Sequence, residues 1–367
     1  ETQLRYIKGL MAEMIFYGPV LKDYEVSTIY IGGGTPSWLN EEWIAALLEG
    51  IFECFNVKED AEISIECNPG TLTLNKLLTY RDAGVNRLSI GLQSTNDEEL
   101  KLLGRIHTYD QFVKNYEMAR NVGYKNISVD LMYGLPQQTT EKYLDTVNRI
   151  VRLKPDHISA YSLIVEKGTP FYEKYKFDMV KQEAGMRTEF LPNEDELYEM
   201  EKAGQAQLFD AGYKQYEISN YAKNNMACRH NIGYWTRENY LGLGIGAASL
   251  LDNVRYTNTS DIDKYLSGCR NIHDMKEDVF RTNLHISADV IDRKAQMEEF
   301  MFLGLRMNEG VTREAFEKSF GISIDAIYKN IIDDLKNQDL LVVRAGHIFL
   351  SPKGKDVANY VMAQFLT

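Results

Sequence analysis

Short apolar runs rich in β-branched residues alternate with longer segments of helical apolar spacing over about the first 220 residues. The runs predict strands at 28–31, 62–66, 87–91, 127–132, 157–163 and 216–219. The longer segments predict helices at 41–55, 73–83, 97–103, 109–122, 141–153 and 194–211. Strand–helix alternation with a repeat of roughly 30 residues is typical of βαβ units, so we expect a parallel sheet.

The C-terminal part of the chain has a different pattern. Helices are predicted at 297–307, 313–320 and 324–337, followed by a hairpin of 340–343 and 347–350. Helices followed by a hairpin form a winged-helix arrangement. A DNA-reading helix needs arginines, whereas the helix at 324–337 carries Asp325, Asp333 and Asp334. We therefore predict a packing or lid domain.

Two stretches interrupt these patterns. Residues 167–191 are charged and aperiodic, which indicates a long connection, and residues 253–293 are polar and weakly patterned. The predicted fold class is α/β, a partial TIM-like (β/α) barrel with a small helical, winged-helix domain after it. The predicted boundaries are 1–252 for the barrel and its extension, 253–293 for the connecting segment and 294–367 for the C-terminal domain.

Composition and charge narrow the classes of function. The formal net charge of −12 disfavours nucleic acid as a partner, because proteins that bind phosphate backbones usually carry a basic face. No window approaches the roughly 20 apolar residues of a membrane span. No basic stretch precedes an apolar one as in a secretory signal, so we expect a cytoplasmic protein. The four cysteines lack metal-ligand spacing and are predicted to be reduced thiols.

Polar residues follow the apolar runs of most predicted strands. In a barrel of parallel strands, the carboxyl ends converge on one mouth. We expect the residues there to bind a polar small molecule: Gly33, Gly34, Thr35, Glu66, Asn68, Gln93, Ser94, Asp130, Tyr161, Ser162, Glu217 and Asn220. Arg105 has the forked donors that suit a carboxylate. The chain has no HExxH, Walker A or nucleophile-elbow motif, so the pattern favours binding over hydrolysis.

Six segments occur in an order that resembles a known family. They are residues 32–36 (GGGTP), 65–69 (IECNP), 89–94 (SIGLQS), 104–107 (GRIH), 130–136 (DLMYGLP) and 216–221 (YEISNY). The set resembles the radical S-adenosylmethionine (SAM) proteins related to oxygen-independent coproporphyrinogen III oxidase. The resemblance covers nearly the whole chain, including the C-terminal domain, which it identifies as HemN-type.

The resemblance implies a set of cofactor contacts. Gly33, Gly34 and Thr35 would hold the methionine part of SAM. Its other polar groups would contact Glu66, Gln93, Arg105 and Asp130. Two further contacts are implied at Ser162 and at Ala248, within the segment 244–249 (GIGAAS).

Residues 230–235 (HNIGYW) match the HNxxYW signature of the heme-chaperone branch (HemW-like) of this family. A neutral imidazole is a common axial ligand of heme iron, which makes His230 the first candidate ligand. Cys228 could ligate heme through sulfur and ranks second, because no proline follows it. The pattern leaves the choice between the two atoms open.

The family also implies a [4Fe–4S] cluster, held by cysteines in CxxxCxxC. The sequence has no such triplet. In the family the motif precedes the glycine run by some tens of residues, so we expect this chain to start downstream of it. A natural variant without the cluster is the alternative. Either way, this polypeptide is not expected to cleave SAM reductively.

The favoured function is heme binding and delivery to apo-hemoproteins, with SAM and the cluster in a supporting role. The alternative is an enzyme that converts propionates of coproporphyrinogen III to vinyl groups by radical decarboxylation. A third reading, a clusterless barrel for another adenosyl ligand, holds only if the gene lacks the cysteines. The client hemoprotein and the oligomeric state, including a homodimer, stay open.

Overall fold

The computed structural model describes residues 2–223, 225–272 and 282–366. Within them, seven strands form one sheet in the order β1-β2-β3-β4-β5-β7-β6. These strands are β1 (Glu25–Ile31), β2 (Asn56–Cys67), β3 (Arg87–Gln93), β4 (Ile127–Tyr133), β5 (His157–Ser162), β6 (Lys214–Gln215) and β7 (Asn220–Ala222). The first five strands pair in parallel, so the predicted partial (β/α) barrel is confirmed.

Helices connect the five parallel strands, as the repeat predicts, and others precede the first of these strands or follow the last. They are α1 (Thr2–Val20), α2 (Glu41–Cys54), α3 (Leu74–Asp82), α4 (Asp97–Leu102), α5 (Tyr109–Val122), α6 (Thr140–Leu153), α7 (Pro170–Glu183) and α8 (Glu194–Asp210). Local caps explain several of their first residues. For example, the side chain of Thr108 accepts from the backbone of Gln111, whose side chain reciprocates at the start of α5.

The strands of the barrel have one apolar and one polar face. The apolar face carries side chains such as Ile65, Ile90 and Val129, each fully buried in the main core with the helices. Such side chains stabilise the fold by about 1.5–3 kcal/mol each. Successive residues point to opposite faces, so Thr28 and Tyr30 of β1 lie on the other, polar face. The concave side of the half-barrel is therefore polar.

A second sheet lies after the barrel. It consists of β8 (Ala248–Leu251), β9 (Val254–Asn258) and β10 (His285–Val290), in the order β10-β9-β8. The short helix α9 (Arg229–Trp235) precedes it, and α10 (Ile262–Arg270) packs on α1. The connecting segment 253–293 is thus largely folded, because Tyr265 and Leu266 supply a small core. Its residues 273–281 lie outside the described residues, and the boundaries at 252 and 294 stay predictions.

The C-terminal domain has the predicted helix–helix–hairpin order. Its elements are α11 (Arg293–Gly304), β11 (Val311–Thr312), α12 (Arg313–Phe320), α13 (Ile324–Asn337), β12 (Leu341–Arg344), β13 (His347–Leu350), α14 (Pro352–Asp356) and α15 (Ala358–Ala363). The hairpin pairs Leu341 with Leu350. A separate core, which includes Phe316, Tyr328 and Ile348, holds the domain together.

Two predictions of local structure are wrong. Residues 216–219 are not a strand, because the Glu217 carboxylate accepts from the Ser219 backbone and the Asn220 amide, both at 2.7 Å, and closes a turn between β6 and β7. Residues 167–191 are not a plain connection, because they contain α7. Its start is capped by Thr169, and the Asp178 carboxylate ties the following loop to it through the backbone of Leu191.

Candidate functional site

The glycine run after β1 is closed at its first residue and open at the next two. A Cβ on Gly32 would lie 2.8 Å from Oε1 of Glu66 and 2.7 Å from the Tyr30 ring. A Cβ on Gly33 or Gly34 would meet nothing within 4 Å. Gly33 has a φ of +86°, which favours glycine, and its N–H donates to Oε2 of Glu66 at 3.2 Å. The chain thus turns tightly around Glu66 and leaves space above the exposed glycines.

Asn68 connects two of the predicted contacts. Its Nδ2 donates to Oγ1 of Thr35 at 3.1 Å, and its Oδ1 accepts from Nη1 of Arg105 at 3.3 Å. The structure therefore brings Thr35 and Arg105 to the same edge as Glu66. Sequence reasoning placed Asn68 at this strand end but gave it no role. Its spacing of two residues from Glu66 was the available signal.

Gln93 ends β3, whereas Asp130, predicted from the sequence to lie at a strand end, lies in the middle of β4. Gln93 is buried and has a φ of +77°, an uncommon conformation for a residue with a side chain. Its Oε1 accepts from the Tyr161 hydroxyl at 3.1 Å. The Asp130 carboxylate accepts from Ser89 at 3.3 Å. Burial raises the pKa of Asp130 to about 6, although Arg87 on the neighbouring strand lowers it.

Ser162 and Ala248 occupy different parts of the molecule. Ser162 is the last residue of β5 and pairs with Tyr133 of β4, at the same edge as the other strand ends. Ala248 begins β8 in the second sheet, where its register partner is Thr257. The loop before it is fixed by Glu13 of α1, whose carboxylate accepts from the Gly244 N–H at 2.9 Å. The role of both residues stays a prediction.

His230 lies on α9 against the polar face of β1. Its Nδ1 is 2.8 Å from Oγ1 of Thr28, and its Nε2 is 3.0 Å from the hydroxyl of Tyr234, one turn further along α9. The Tyr30 ring stacks on the imidazole, with centroids 5.0 Å apart and planes 18° apart. The signature histidine is therefore held on one side by the barrel and on the other by its own helix.

The surroundings of His230 favour a neutral imidazole. Burial lowers the pKa of His230 to about 4, with a further lowering by Arg87 and an opposing effect of Glu62. The tautomer that donates from Nδ1 to Thr28 leaves the Nε2 lone pair facing Tyr234. A neutral ring with a free Nε2 lone pair is the form that ligates iron. Among the described contacts of Nε2, the one with Tyr234 has to break for the lone pair to become available.

Glu62 anchors the start of α9. Its carboxylate accepts from the backbone of Arg229 at 3.2 Å, from the backbone of His230 at 3.1 Å and from Sγ of Cys228 at 3.5 Å. Burial raises the pKa of Cys228 to about 11, although Arg87 lowers it. Cys228 is fully buried, so its sulfur is a protonated donor rather than a free thiolate. Sequence reasoning gave Glu62 no role. The available signal was its position four residues before Glu66, which places both side chains on the same face of β2.

The C-terminal domain contacts the other end of α9. The Arg306 guanidinium lies 4.2 Å from the centre of the Trp235 ring. Glu299 of α11 pairs with Arg237 at 2.8 Å and with Arg255 of β9 at 2.7 Å. The Glu299 and Arg237 side chains are 9% and 12% exposed, so this pair is well shielded from water. The signature segment is thus fixed by both domains.

The residues present fit one of the two groups that the family implies. The space above Gly33 and Gly34, with the Glu66 carboxylate and the Arg105 guanidinium at its edge, suits a polar ligand with both an amino and a carboxylate group. A [4Fe–4S] cluster does not fit. Among the described residues, no three His, Cys, Asp or Glu side chains converge to hold a metal ion.

Comparison with known proteins gives matches along the whole chain. The model of the radical SAM superfamily matches residues 19–150, and that of the HemN C-terminal domain matches residues 291–357. The heme chaperone HemW of Lactococcus lactis is 35% identical over 364 residues, covering 98% of this chain and 89% of the relative. The heme chaperone HemW of Bacillus subtilis is 34% identical over 362 residues, covering 98% of this chain and 91% of the relative.

The fold also matches a solved structure. Coproporphyrinogen III oxidase (HemN) from Escherichia coli, a radical SAM enzyme, aligns with a TM-score of 0.81 over 100% of this chain and 84% of that chain. At 22% identity the match shows the fold alone, and it confirms a radical SAM partial barrel with a HemN C-terminal domain. None of the described helices is long and apolar enough to span a membrane.

Proposed function

This chain belongs to the HemW family of heme chaperones, built on a radical SAM scaffold, and from that premise we propose that it binds heme and delivers it to apo-hemoproteins. His230 is the proposed axial ligand, through Nε2. The hemoprotein clients and a cytoplasmic location belong to the same proposal. Heme is the cargo in this function, and SAM is the resident cofactor.

The observation that carries the proposal is the state of His230. The imidazole is neutral at physiological pH, oriented by Thr28 through Nδ1 and stacked on Tyr30. A ring so fixed presents a lone pair with little conformational entropy left to lose on binding iron. Cys228 is the weaker candidate, because its thiol is buried, protonated and engaged by Glu62.

SAM would be held at the mouth of the barrel. Gly33, Gly34 and Thr35 would lie along its methionine part, while Glu66 and Arg105 would contact its amino and carboxylate groups. Gln93 and Asp130 would contact the rest of the cofactor. When bound, SAM supplies a sulfonium cation and an adenosyl group. The chain's own residues bind and orient it.

A heme titration tests the proposal. The Soret band is followed for the unchanged chain and for His230→Ala, Cys228→Ala and His347→Ala. His347 is the matched control, because it lies on β13 of the C-terminal domain and its side chain bonds only the Glu309 carbonyl among its described contacts. We expect saturable binding that His230→Ala weakens at least tenfold, the equivalent of about 1.4 kcal/mol. The other two variants should match the unchanged chain.

Three outcomes would contradict parts of the proposal. If Cys228→Ala weakened heme binding at least tenfold and His230→Ala did not, the proposed iron ligand would be the Cys228 sulfur. Equal curves for all four proteins would remove His230 as the ligand. Absence of heme binding by the unchanged chain would overturn the proposed function and favour the oxidase instead.

A further inference from the structure

Two inward-facing residues of β1 contact the proposed heme ligand. Thr28 and Tyr30 are two positions apart and therefore lie on the same face of the strand. Thr28 bonds Nδ1 of His230 at 2.8 Å, and the Tyr30 ring stacks on the same imidazole. One strand thus controls both the orientation and the plane of the ring.

Tyr30 also contacts the proposed SAM site. Its hydroxyl donates to Oε1 of Glu66 at 3.0 Å, while Oε2 of the same carboxylate accepts from the Gly33 N–H. Burial and the nearby Glu66 charge raise the pKa of Tyr30, so the phenol keeps its proton and remains a donor. A single side chain therefore touches His230 with its ring and Glu66 with its hydroxyl.

The strand after Tyr30 makes this connection short and stiff. Gly32 follows with no room for a Cβ between Tyr30 and Glu66. β1 and β2 pair in register at Tyr30 and Ser64, so the backbone under both side chains is fixed. A shift of the Glu66 carboxylate is then transmitted to the Tyr30 hydroxyl rather than absorbed by the chain.

We propose that Tyr30 couples the two sites, so that an adenosyl ligand on the Gly33–Glu66 cradle tightens heme binding at His230. The inference rests on the proposed function. A ligand amino group on Glu66 holds the carboxylate in place, the carboxylate holds the Tyr30 ring, and the ring holds the imidazole plane. Heme then binds an imidazole that is already ordered, so less conformational entropy is lost on binding.

The coupling has a size and a reciprocity. Coupling free energies between two sites are typically 1–3 kcal/mol, so we expect saturating SAM to tighten heme binding about fivefold or more. Because linkage is reciprocal, heme must tighten SAM binding by the same factor. Soret titrations with and without SAM measure the first factor. Equilibrium dialysis of labelled SAM with and without heme measures the second.

Two phenylalanine variants separate coupling from loss of a site. Tyr30→Phe keeps the stacked ring and removes only the bond to Glu66, so heme should still bind while the SAM effect falls to about onefold. Tyr161→Phe is the matched control, because its hydroxyl holds Gln93 of the SAM site and its described contacts do not include His230. Tyr161→Phe should weaken SAM binding but keep the fivefold effect at saturation.

A double-mutant cycle of Glu66→Gln and Tyr30→Phe, measured without added SAM, tests the same contact between Glu66 and Tyr30. Glu66→Gln should weaken heme binding about threefold, the worth of a weakened hydrogen bond, although Glu66 does not bond His230 in the described structure. In the Tyr30→Phe background the same substitution should have no further effect. Additive effects of the two substitutions would overturn the coupling.

The outcomes distinguish this inference from the proposed function. Heme affinity that changes neither with SAM nor with Glu66→Gln overturns the coupling and leaves the proposed function standing. Coupling that persists in Tyr30→Phe assigns it to another path and overturns the role of Tyr30. Absence of heme binding overturns the proposed function and the coupling with it.

Discussion

Glu62 and Glu66 stand four residues apart on β2, point to the same side and have different environments. Glu66 is half-buried at the mouth of the barrel, beside glycines with open space above them. Glu62 is 6% exposed, and two backbone N–H groups and a thiol surround its carboxylate. Residue type and strand face are therefore not what makes a carboxylate a ligand-binding group.

The neighbours of each carboxylate decide its role. Glu66 accepts from Tyr30 and Gly33 and still faces the open side of the glycine run, so it can accept from a ligand. Glu62 has its donors supplied by the chain and has no open side, so it positions α9. A fully satisfied buried carboxylate is part of the scaffold, because losing it leaves its donors unpaired.

The largest expected difference between the two carboxylates is in stability. Glu62→Ala leaves three donors and the buried Arg87 guanidinium without this carboxylate, so we expect a loss of about 3–5 kcal/mol in the free energy of unfolding. Glu66→Ala should cost about 1 kcal/mol. Urea unfolding followed by tryptophan fluorescence measures both. Equal losses would show that the two environments do not differ energetically.

The second prediction concerns the pH dependence of heme binding at His230, which lies on the helix that Glu62 anchors. Because the pKa of His230 is about 4, heme affinity should stay nearly constant from pH 8 to pH 5. An imidazole of ordinary pKa would lose about 30-fold over that range, since protons compete with iron. Soret titrations at several pH values distinguish the two. A break near pH 6.5 would show that His230 is more hydrated than its contacts imply.

The same lowered pKa has a consequence for folding. The unfolded chain binds a proton at this histidine below about pH 6.5, whereas the folded chain binds it only below about pH 4. The stabilisation that His230 contributes is therefore complete above pH 6.5 and is lost as the pH falls toward 4. His230→Gln should remove this part of the pH dependence of the unfolding free energy.

The third prediction concerns the proposed SAM site around Glu66. Asn68→Ala removes the amide that orients both Thr35 and Arg105, so SAM should bind about tenfold more weakly, as for the loss of one hydrogen bond to a charged group. Asn75→Ala, on the exposed surface of α3, is the control and should bind SAM normally. Equilibrium dialysis with labelled SAM measures both. Unchanged binding in Asn68→Ala would remove this residue from the site.

The smallest expected effect is at Thr28. Thr28→Val keeps the shape of the side chain but removes the bond to Nδ1 of His230, so heme affinity should fall about fivefold, the equivalent of about 1 kcal/mol. Thr28→Ser restores the hydroxyl and should restore most of the affinity. A valine variant with full affinity would show that stacking on Tyr30 suffices to orient the ring.

The sequence predicts the barrel well where the local signals agree. Helix α5 matches its predicted bounds because a capping box starts it and Gly123 ends it. The first five strands were recognisable as apolar runs of β-branched residues followed by polar clusters. The glycine run, Glu66 and Arg105 were predicted as one site, and their contacts through Asn68 and Gly33 place them at one edge.

The remaining features depend on contacts between distant segments. The turn at 216–219 has the composition of a strand, and only the buried Glu217 carboxylate reveals it as a turn. The roles of Glu62 and Thr28 depend on α9, which is more than 160 residues away in sequence. A single sequence contains no signal for that contact, because polar residues inside a strand look the same with or without a partner.

Helix α9 is only seven residues long, shorter than a helix that persists by itself in water. Contacts with other segments therefore stabilise it: Glu62 at its first turn, and the Arg237–Glu299 pair and the Arg306–Trp235 contact at its other end. Hydrogen exchange of its amides should consequently follow the opening of those neighbours rather than helix fraying. The time that heme takes to enter or leave would then be set by how often the two domains release these seven residues, about two turns of helix.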